Sequence, residues 1–246
     1  DLNAALNRAF KAEKVRKKVT MELPEASPPK ERWLTKSEAA RLLMGALGFL
    51  MVSYSDRETR EVRWRAWRRV GESYSRHLAR FVVIGLHTGT RHDAILRLGF
   101  APHEVGGHFD LAGRRVYRAA AGARRTKKRQ PTARLRRKLA FHVARWQRIS
   151  RSNIVVHYTG PARRFDEDGM PIDSLKRITG AFRLARQRAG LGADVTPHVL
   201  RHTCTTWLLQ EGWSIWDVAG YVGMSPKVIE TTYGHHAAEF QGAALD

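Results

Sequence analysis

The sequence has few of the residues that several classes of protein depend on. Its 246 residues include a single cysteine, Cys204, so no intrachain disulfide can form and nothing points to an oxidising compartment. No apolar run reaches the ~18 residues of a membrane-spanning helix, and we find no signal peptide. Cys204 falls in an apolar helical stripe, where a free thiol usually serves as a small core side chain. These absences argue against a disulfide-stabilised extracellular domain.

Acidic residues are also scarce. Asp and Glu number 23 against 44 Lys and Arg, which gives a formal net charge of +21. Such a charge favours a polyanionic partner, because each Lys or Arg placed against a phosphate releases condensed counterions. A membrane surface is the competing polyanion, but the basic residues are spread through segments that look folded. Hydrophobic residues make up 43%, enough for a sizeable core. We therefore predict a folded protein that binds nucleic acid and not membrane.

The Pro-rich polar stretch 24–32 is the one convincing linker. Directly after it, Thr35 and Glu38 have the spacing of a capping box, and an apolar run follows to Leu50, which predicts a helix start. Residues 54–70 are dense in Arg with two interleaved Trp. We favour an amphipathic helix there that buries both Trp, and a DNA-facing loop is the alternative.

The remaining pattern predicts a mainly α (α+β) fold. Gly residues punctuate short β-like runs between about 99 and 135, which predicts a three-stranded antiparallel sheet. Residues 153–158 are a further candidate strand. Helical patterns cover about 74–88, 136–150, 173–189, 197–211, 214–222 and 226–234. A further capped helix start follows the first of these and places Arg91 in its first turn.

The segment from Thr196 to Thr203 is the most informative. Thr196 can cap a helix, Pro197 suits its first position, and His198 and Arg201 then share one helical face. A basic pair that can exchange protons is thereby held near a helix N-terminus, which itself favours anions. Taken alone, a His-x-x-Arg pair is most often a surface coincidence.

The other residues that accompany this His-x-x-Arg pair change that interpretation. The order Arg91, His-x-x-Arg and then Tyr233, with Gly-rich β structure and basic residues between, resembles the tyrosine recombinase (phage integrase) family. Residues 88–91 resemble the first arginine box of that family, 197–203 its His-x-x-Arg box, 221–225 its Leu-Gly-His-Ser segment and 232–235 its nucleophile box. The resemblance runs from about residue 31 to 240. It implies a catalytic domain over 33–246, the linker 24–32, and a remnant of an N-terminal core-binding domain over 1–23.

The resemblance implies a role for each residue. Arg91 and Arg201 would bind the non-bridging phosphate oxygens, since guanidinium forks match them. His198 would orient the phosphate and take or relay a proton, and Tyr233 would be the nucleophile. Lys127 would be the general acid, with Lys128 as the alternative. We expect the hairpin residues Arg125, Lys128 and Arg129 to contact DNA. No metal or other cofactor is needed, because the phosphotyrosine conserves the bond energy.

Two positions depart from the pattern of the family. Met224 stands where a His or Trp usually donates a hydrogen bond to the phosphate, and a Met cannot donate one. Either that donor is dispensable, or His235 or His236 replaces it. Ala94 stands where an acidic residue is common, and Asp93 next to it is a candidate substitute.

We therefore predict a site-specific recombinase that cuts and rejoins DNA through a covalent 3′-phosphotyrosine, to integrate or excise a mobile element. Its expected partners are duplex recombination sites, further copies of itself in a tetramer on DNA, and accessory DNA-bending or directionality proteins. A prokaryotic or phage-encoded protein acting at the nucleoid in the cytoplasm fits this interpretation. The alternatives are a type IB topoisomerase and a catalytically impaired DNA-binding regulator. We expect Arg91, His198 and Arg201 to converge, and Tyr233 to sit at the movable end of a short helix.

Overall fold

The computed structural model describes residues 2–18, 32–56, 58–70, 76–120, 122, 130–158 and 175–241. The chain divides into two compact units, Asp1–Lys30 and Glu31–Asp246. The first unit contains helix α1 (Leu2–Lys11). No described helix is both long and apolar enough to cross a membrane.

The larger unit is mainly helical, as predicted, with two small antiparallel sheets. Its elements in chain order are α2 (Lys36–Ala46), β1 (Phe49–Ser55), β2 (Val62–Arg69), α3 (Arg76–Thr88), α4 (His92–Leu96), β3 (His108–Asp110), β4 (Arg115–Tyr117), β5 (Ala133–Arg134), α5 (Arg137–Ile149), α6 (Thr179–Arg188), α7 (Val199–Gln210), α8 (Ile215–Val222) and α9 (Pro226–Gln241).

The predicted capping box starts α2. The Glu38 backbone N–H donates to Thr35 Oγ1 at 3.2 Å, and the Thr35 backbone N–H donates to Glu38 Oε2 at 2.9 Å. This reciprocal pair satisfies two N–H groups that the first turn leaves without helical partners. The helix is shorter than the apolar run, because Gly48 adopts φ +94° and turns the chain into β1.

The helix predicted over 54–70 is wrong, because strands β1 and β2 form an antiparallel hairpin there. Trp64 and Trp67 are three positions apart, so they fit one face of a helix, but Val62, Trp64 and Ala66 also lie at a spacing of two. Aromatic and β-branched residues favour the strand. Trp64 is half-buried, whereas Trp67 is 59% exposed.

The predicted three-stranded sheet is confirmed. It lies between α4 and α5 with strand order β3-β4-β5, and both pairs are antiparallel. The strand predicted over 153–158 is wrong: Ile154 forms one isolated bridge with Gly99, and no strand follows. The alternation of Arg115, Val116 and Tyr117 places Val116 in the core.

The core lies where α2, α3, α6 and α7 pack together. Phe81 of α3 and Phe182 of α6 meet edge to face, with ring centroids 6.5 Å apart. Gly85 allows α3 to approach α7, since a Cβ there would lie 2.8 Å from Leu200 Cδ1. A second cluster joins α7, α8 and α9 and contains Cys204, which is buried as predicted. Burial raises the pKa of its thiol to about 12, so it stays protonated.

Candidate active site

Arg91 lies in the tight connection between α3 and α4. It occupies the N-cap position of α4, one residue before the first helical turn in which the sequence analysis placed it. Gly89 just before it adopts φ +60°, and a Cβ there would lie 3.0 Å from Val222 Cγ1. Only a glycine therefore lets this turn pack so closely on α8.

Arg201 connects that turn to the end of α8. Its Nη1 donates to the Gly89 carbonyl at 2.7 Å and its Nη2 to the Gly223 carbonyl at 3.2 Å, and the residue is 3% exposed. Burial, reinforced by the positive charge of Arg91, lowers the pKa of Arg201 to about 10. The two arginines therefore lie close enough to repel each other although they are far apart in sequence.

A third arginine, Arg118, was missed by the sequence analysis. Its Nε donates to Thr90 Oγ1 at 2.9 Å, and its Nη2 to the Thr88 carbonyl at 2.7 Å. Its Nη1 donates to the carbonyls of Pro131 at 3.0 Å and Tyr221 at 2.7 Å. Burial lowers the pKa of Arg118 to about 10. Arg118 and Arg201 thus join the turn before Arg91 to the C-terminal end of α8 with parallel sets of hydrogen bonds.

His198 sits at the N-cap position of α7, beside this cluster. Burial lowers its pKa, and the charges of Arg201 and Arg91 lower it further, so the ring is neutral at pH 7. It lines an open pocket of about 570 Å³. The pocket is also lined by His92, Asp93, Leu96, Lys176, Arg177, Ile178, Thr179, Thr196 and Pro197.

Tyr233 is 3% exposed and lies within α9. Its hydroxyl is hydrogen-bonded to Nδ1 of His202 at 2.5 Å. Burial raises the pKa of Tyr233 to about 12, although the charge of Arg201 acts in the opposite direction. Burial and the charges of His198 and Arg201 lower the pKa of His202 to about 4, so its ring is neutral at pH 7.

The prediction that Tyr233 sits at the end of a two-turn helix is wrong. Helix α9 continues through Gly234 to Gln241. A glycine inside a helix costs about 1 kcal/mol relative to alanine, which weakens a helix without ending it.

Other predicted residues have different outcomes. Arg125, Lys127, Lys128 and Arg129 lie outside the described residues. Met224 packs against the cluster of α7, α8 and α9, and His236 meets the ring of Trp33 with centroids 5.7 Å apart. Asp93 pairs with His92 at 2.9 Å.

The site therefore places Arg91, Arg118 and Arg201 close enough to interact electrostatically, with His198 beside Arg201 and His202 against Tyr233. The charge of Arg91 lowers the pKa values of Arg118, Arg201 and His198, which indicates a positive potential that a bound anion would relieve. The described part of the chain contains no group of three or more His, Cys, Asp or Glu side chains placed to hold a metal ion. The sequence contains features that could have indicated the two residues that the sequence analysis missed. Arg118 follows Val116 by two positions and so shares its inward face, and His202 lies one helical turn after His198.

Comparison with known proteins bears on the fold and on the family of part of the chain. Residues 124–239 match the profile of the Phage integrase family, whereas no curated protein matches the chain. Among solved structures, the XerA recombinase aligns with a TM-score of 0.55 and 17% identity, covering 99% of this chain and 75% of that one. The Tn1549 transposon integrase, in complex with circular intermediate DNA, aligns with a TM-score of 0.62 and 16% identity, covering 99% and 78%.

A third structure, the XerH site-specific recombinase bound to its palindromic difH substrate, aligns with a TM-score of 0.50 and 13% identity, covering 86% of this chain and 52% of that one. At these identities the structural matches establish the fold. Residues 124–239, which contain His198, Arg201 and Tyr233, match the phage integrase family, and the chain is a tyrosine recombinase, an enzyme that breaks and rejoins DNA strands.

Proposed function

We propose that the chain recombines duplex DNA at specific sites with Tyr233 as its nucleophile. The Tyr233 oxygen attacks the scissile phosphorus, the bond from phosphorus to the 5′ oxygen breaks, and that oxygen leaves with a proton. The 5′ hydroxyl of a second strand then attacks the 3′-phosphotyrosine, which releases Tyr233 and restores a phosphodiester. Each step exchanges one ester for another, so no external energy source is consumed.

The observation that carries this proposal is the electrostatic coupling of residues distant in sequence. The charge of Arg91 acts on Arg201 and His198, and the charge of Arg201 acts on Tyr233. Arg201 uses two of its five N–H donors on backbone carbonyls, which leaves donors for a phosphate oxygen. We assign Arg91 and Arg201 to the non-bridging oxygens and His198 to phosphate orientation and proton relay.

The departing 5′ oxygen needs an acid, and we assign this role to Lys127, with Lys128 as the alternative. We also assign DNA contacts to Arg125, Lys128 and Arg129. The sequence resemblance supports these assignments. A positively charged segment suits a phosphate backbone.

The wider setting is part of the same proposal. The Tn1549 integrase structure contains circular intermediate DNA and the XerH structure contains its palindromic difH substrate, which supports duplex DNA as the partner here. We propose that the chain works as a tetramer on two duplexes with accessory DNA-bending or directionality proteins. We further propose that 33–246 is its catalytic domain, that 1–23 is a remnant of a core-binding domain joined through linker 24–32, and that it acts in the cytoplasm of a prokaryotic cell.

The test is covalent capture on nicked duplexes taken from the DNA that flanks the gene. We expect a protein–DNA adduct that survives denaturing electrophoresis and maps to the peptide containing Tyr233. Tyr233→Phe removes one oxygen and keeps the packing ring, so the adduct should disappear while folding is retained. Tyr117→Phe, which changes a tyrosine of β4 stacked on His108, is the matched control and should keep the adduct.

Several outcomes would overturn the proposal. An adduct with the Tyr233→Phe variant means that another residue is the nucleophile. Relaxation of supercoiled DNA without strand exchange between duplexes favours the topoisomerase alternative, and absence of any adduct favours the regulator.

A further inference from the structure

The hairpin of β1 and β2 presents a positively charged face that the proposed catalysis does not use. Cross-strand pairing of Tyr54 with Arg63, and of Leu50 with Arg68, places those four side chains on one face of the hairpin. Arg65 shares this face, with its guanidinium 5.5 Å from the Tyr54 ring centroid and 5.3 Å from that of Trp67. We call Tyr54, Arg63, Arg65, Trp67 and Arg68 the outer face.

The opposite face holds the hairpin on the domain. Trp64 lies under the Arg41 guanidinium, 3.9 Å from its ring centroid. Arg41 in turn donates to the Ala189 carbonyl at 2.8 Å. Gly190 has φ +62°, and a Cβ there would lie 2.6 Å from the Trp64 ring. The hairpin is therefore fixed against the end of α6, and its outer face points away from this contact.

The outer face exposes aromatic and basic side chains together. Trp67 is 59% exposed and Tyr54 41%. Arg63 is partly neutralised by Asp56 at 3.4 Å, but no described carboxylate pairs with Arg65 or Arg68. Strand β2 contains four arginines and no acidic residue. A strand edge this charged resists pairing with another strand, so a polyanion is the occupant that its charge fits best.

Helix α6 relates this face to the pocket beside His198. Its first residue, Thr179, lines the pocket beside His198, and the chain reaches the contact with Trp64 just beyond its last residue, Arg188. Ten residues of helix span about 15 Å, which corresponds to roughly four or five base pairs of duplex. A duplex whose phosphate occupies the pocket is long enough to reach the hairpin.

We propose that the outer face binds the phosphate backbone of duplex DNA several base pairs from the cleaved bond, an inference that rests on the proposed function. Arg65 and Arg68 contact phosphates, and the rings of Tyr54 and Trp67 hold the Arg65 guanidinium in place by cation–π contact. The hairpin adds affinity and carries no base-specific information.

The test is the salt dependence of binding to a 40-base-pair duplex of random sequence, measured with the whole chain carrying Tyr233→Phe so that no covalent bond forms. Each phosphate contact contributes about 0.9 to the slope of log affinity against log salt. We expect Arg65→Gln with Arg68→Gln to reduce the slope by about 1.8. Between 50 and 200 mM salt the parent protein should therefore lose roughly tenfold more affinity than this double variant.

Two further variants make the result specific. Arg65→Lys with Arg68→Lys keeps both charges and should retain most of the slope. Arg145→Gln with Arg148→Gln removes the same charge from two exposed positions of α5 and should leave the slope unchanged. An equal loss in both neutralised variants means that net charge alone acts, and this overturns the proposal.

A hairpin variant that alters self-association in sedimentation without altering DNA affinity also overturns it and identifies a second copy as the occupant. The two proposals can fail separately. A lower slope in the Arg65→Gln and Arg68→Gln variant, combined with no covalent adduct in the protein that retains Tyr233, would support DNA binding by the hairpin and refute the recombination mechanism.

Discussion

Replacing Arg118 should test whether a buried cation positions the turn before Arg91. Arg118 is 4% exposed and donates four hydrogen bonds. Thr88 Oγ1 donates its proton to the Ile84 carbonyl at 2.7 Å. The 2.7 Å hydrogen bond between the two threonine hydroxyls must therefore be donated by Thr90 Oγ1 to Thr88 Oγ1. A directed chain of hydrogen bonds therefore runs from Arg118 through both threonines into helix α3.

The magnitude follows from two opposing effects. The shift of the Arg118 pKa from 12.5 to about 10 means that burying the charge costs about 3 kcal/mol. Hydrogen bonds from a charged donor each contribute about 1.5–3 kcal/mol, so four of them outweigh that cost. Arg118→Met should therefore destabilise the fold by about 3–5 kcal/mol, the usual range for breaking a buried charged network. Arg118→Lys keeps the charge but cannot reach four separate acceptors.

The assay combines urea unfolding with single-turnover cleavage of a nicked duplex. If Arg118 positions the turn before Arg91, the folded Arg118→Lys protein should cleave at least tenfold more slowly at saturating DNA, with its affinity for DNA within about threefold. Arg80→Met is the matched control, because Arg80 is 6% exposed and donates to the Val155 carbonyl at 3.0 Å. It should destabilise the protein and leave the cleavage rate of the folded protein unchanged. A normal rate in the folded Arg118→Lys protein would refute the positioning role.

Two further predictions concern stability. The pKa of His202 is lowered to about 4, so the stability that its neutral ring contributes is fully present above about pH 6.5 and is lost as the pH falls towards 4. His202→Gln should therefore reduce the loss of unfolding free energy over this range, measured with urea, by about 2 kcal/mol. A pH profile of stability equal to that of the parent protein would contradict this prediction. Gly45→Ala should cost about 1–3 kcal/mol, because its Cβ would lie 2.3 Å from the Ala185 carbonyl oxygen. The control Gly220→Ala meets nothing within 4 Å and should stabilise α8 by about 0.5–1 kcal/mol. Equal effects of both alanines in thermal unfolding would contradict the packing argument.

Local signals in the sequence explain what could be predicted. The capping box of Thr35 acts within four residues, and the glycines around the three-stranded sheet act at single turns, so neither depends on distant contacts. The His198 segment is similar, because helical spacing alone places it on one face with Arg201.

Where the prediction was wrong, distant contacts decide the structure. Trp64 fits a helix or a strand by spacing, and it is its packing against Gly190 that fixes the strand. Gly234 resembles a helix stop, but buried Tyr233 secures α9 on both sides of it. The acceptors of Arg118 include carbonyls near positions 88, 131 and 221. Backbone carbonyls carry no residue signature, so no pattern of side chains indicates that role.

The same electrostatics explain how the site distinguishes its free and bound states. In the free protein, burial and the positive charges of Arg201 and Arg91 lower the pKa of His198, and burial keeps Tyr233 protonated beside His202. A phosphate bound to the arginines would cancel part of this positive potential and so act to raise the pKa values of both histidines. The proposed nucleophile is thus a neutral, buried phenol in the free protein, and we expect the histidines to become stronger bases when a phosphate binds.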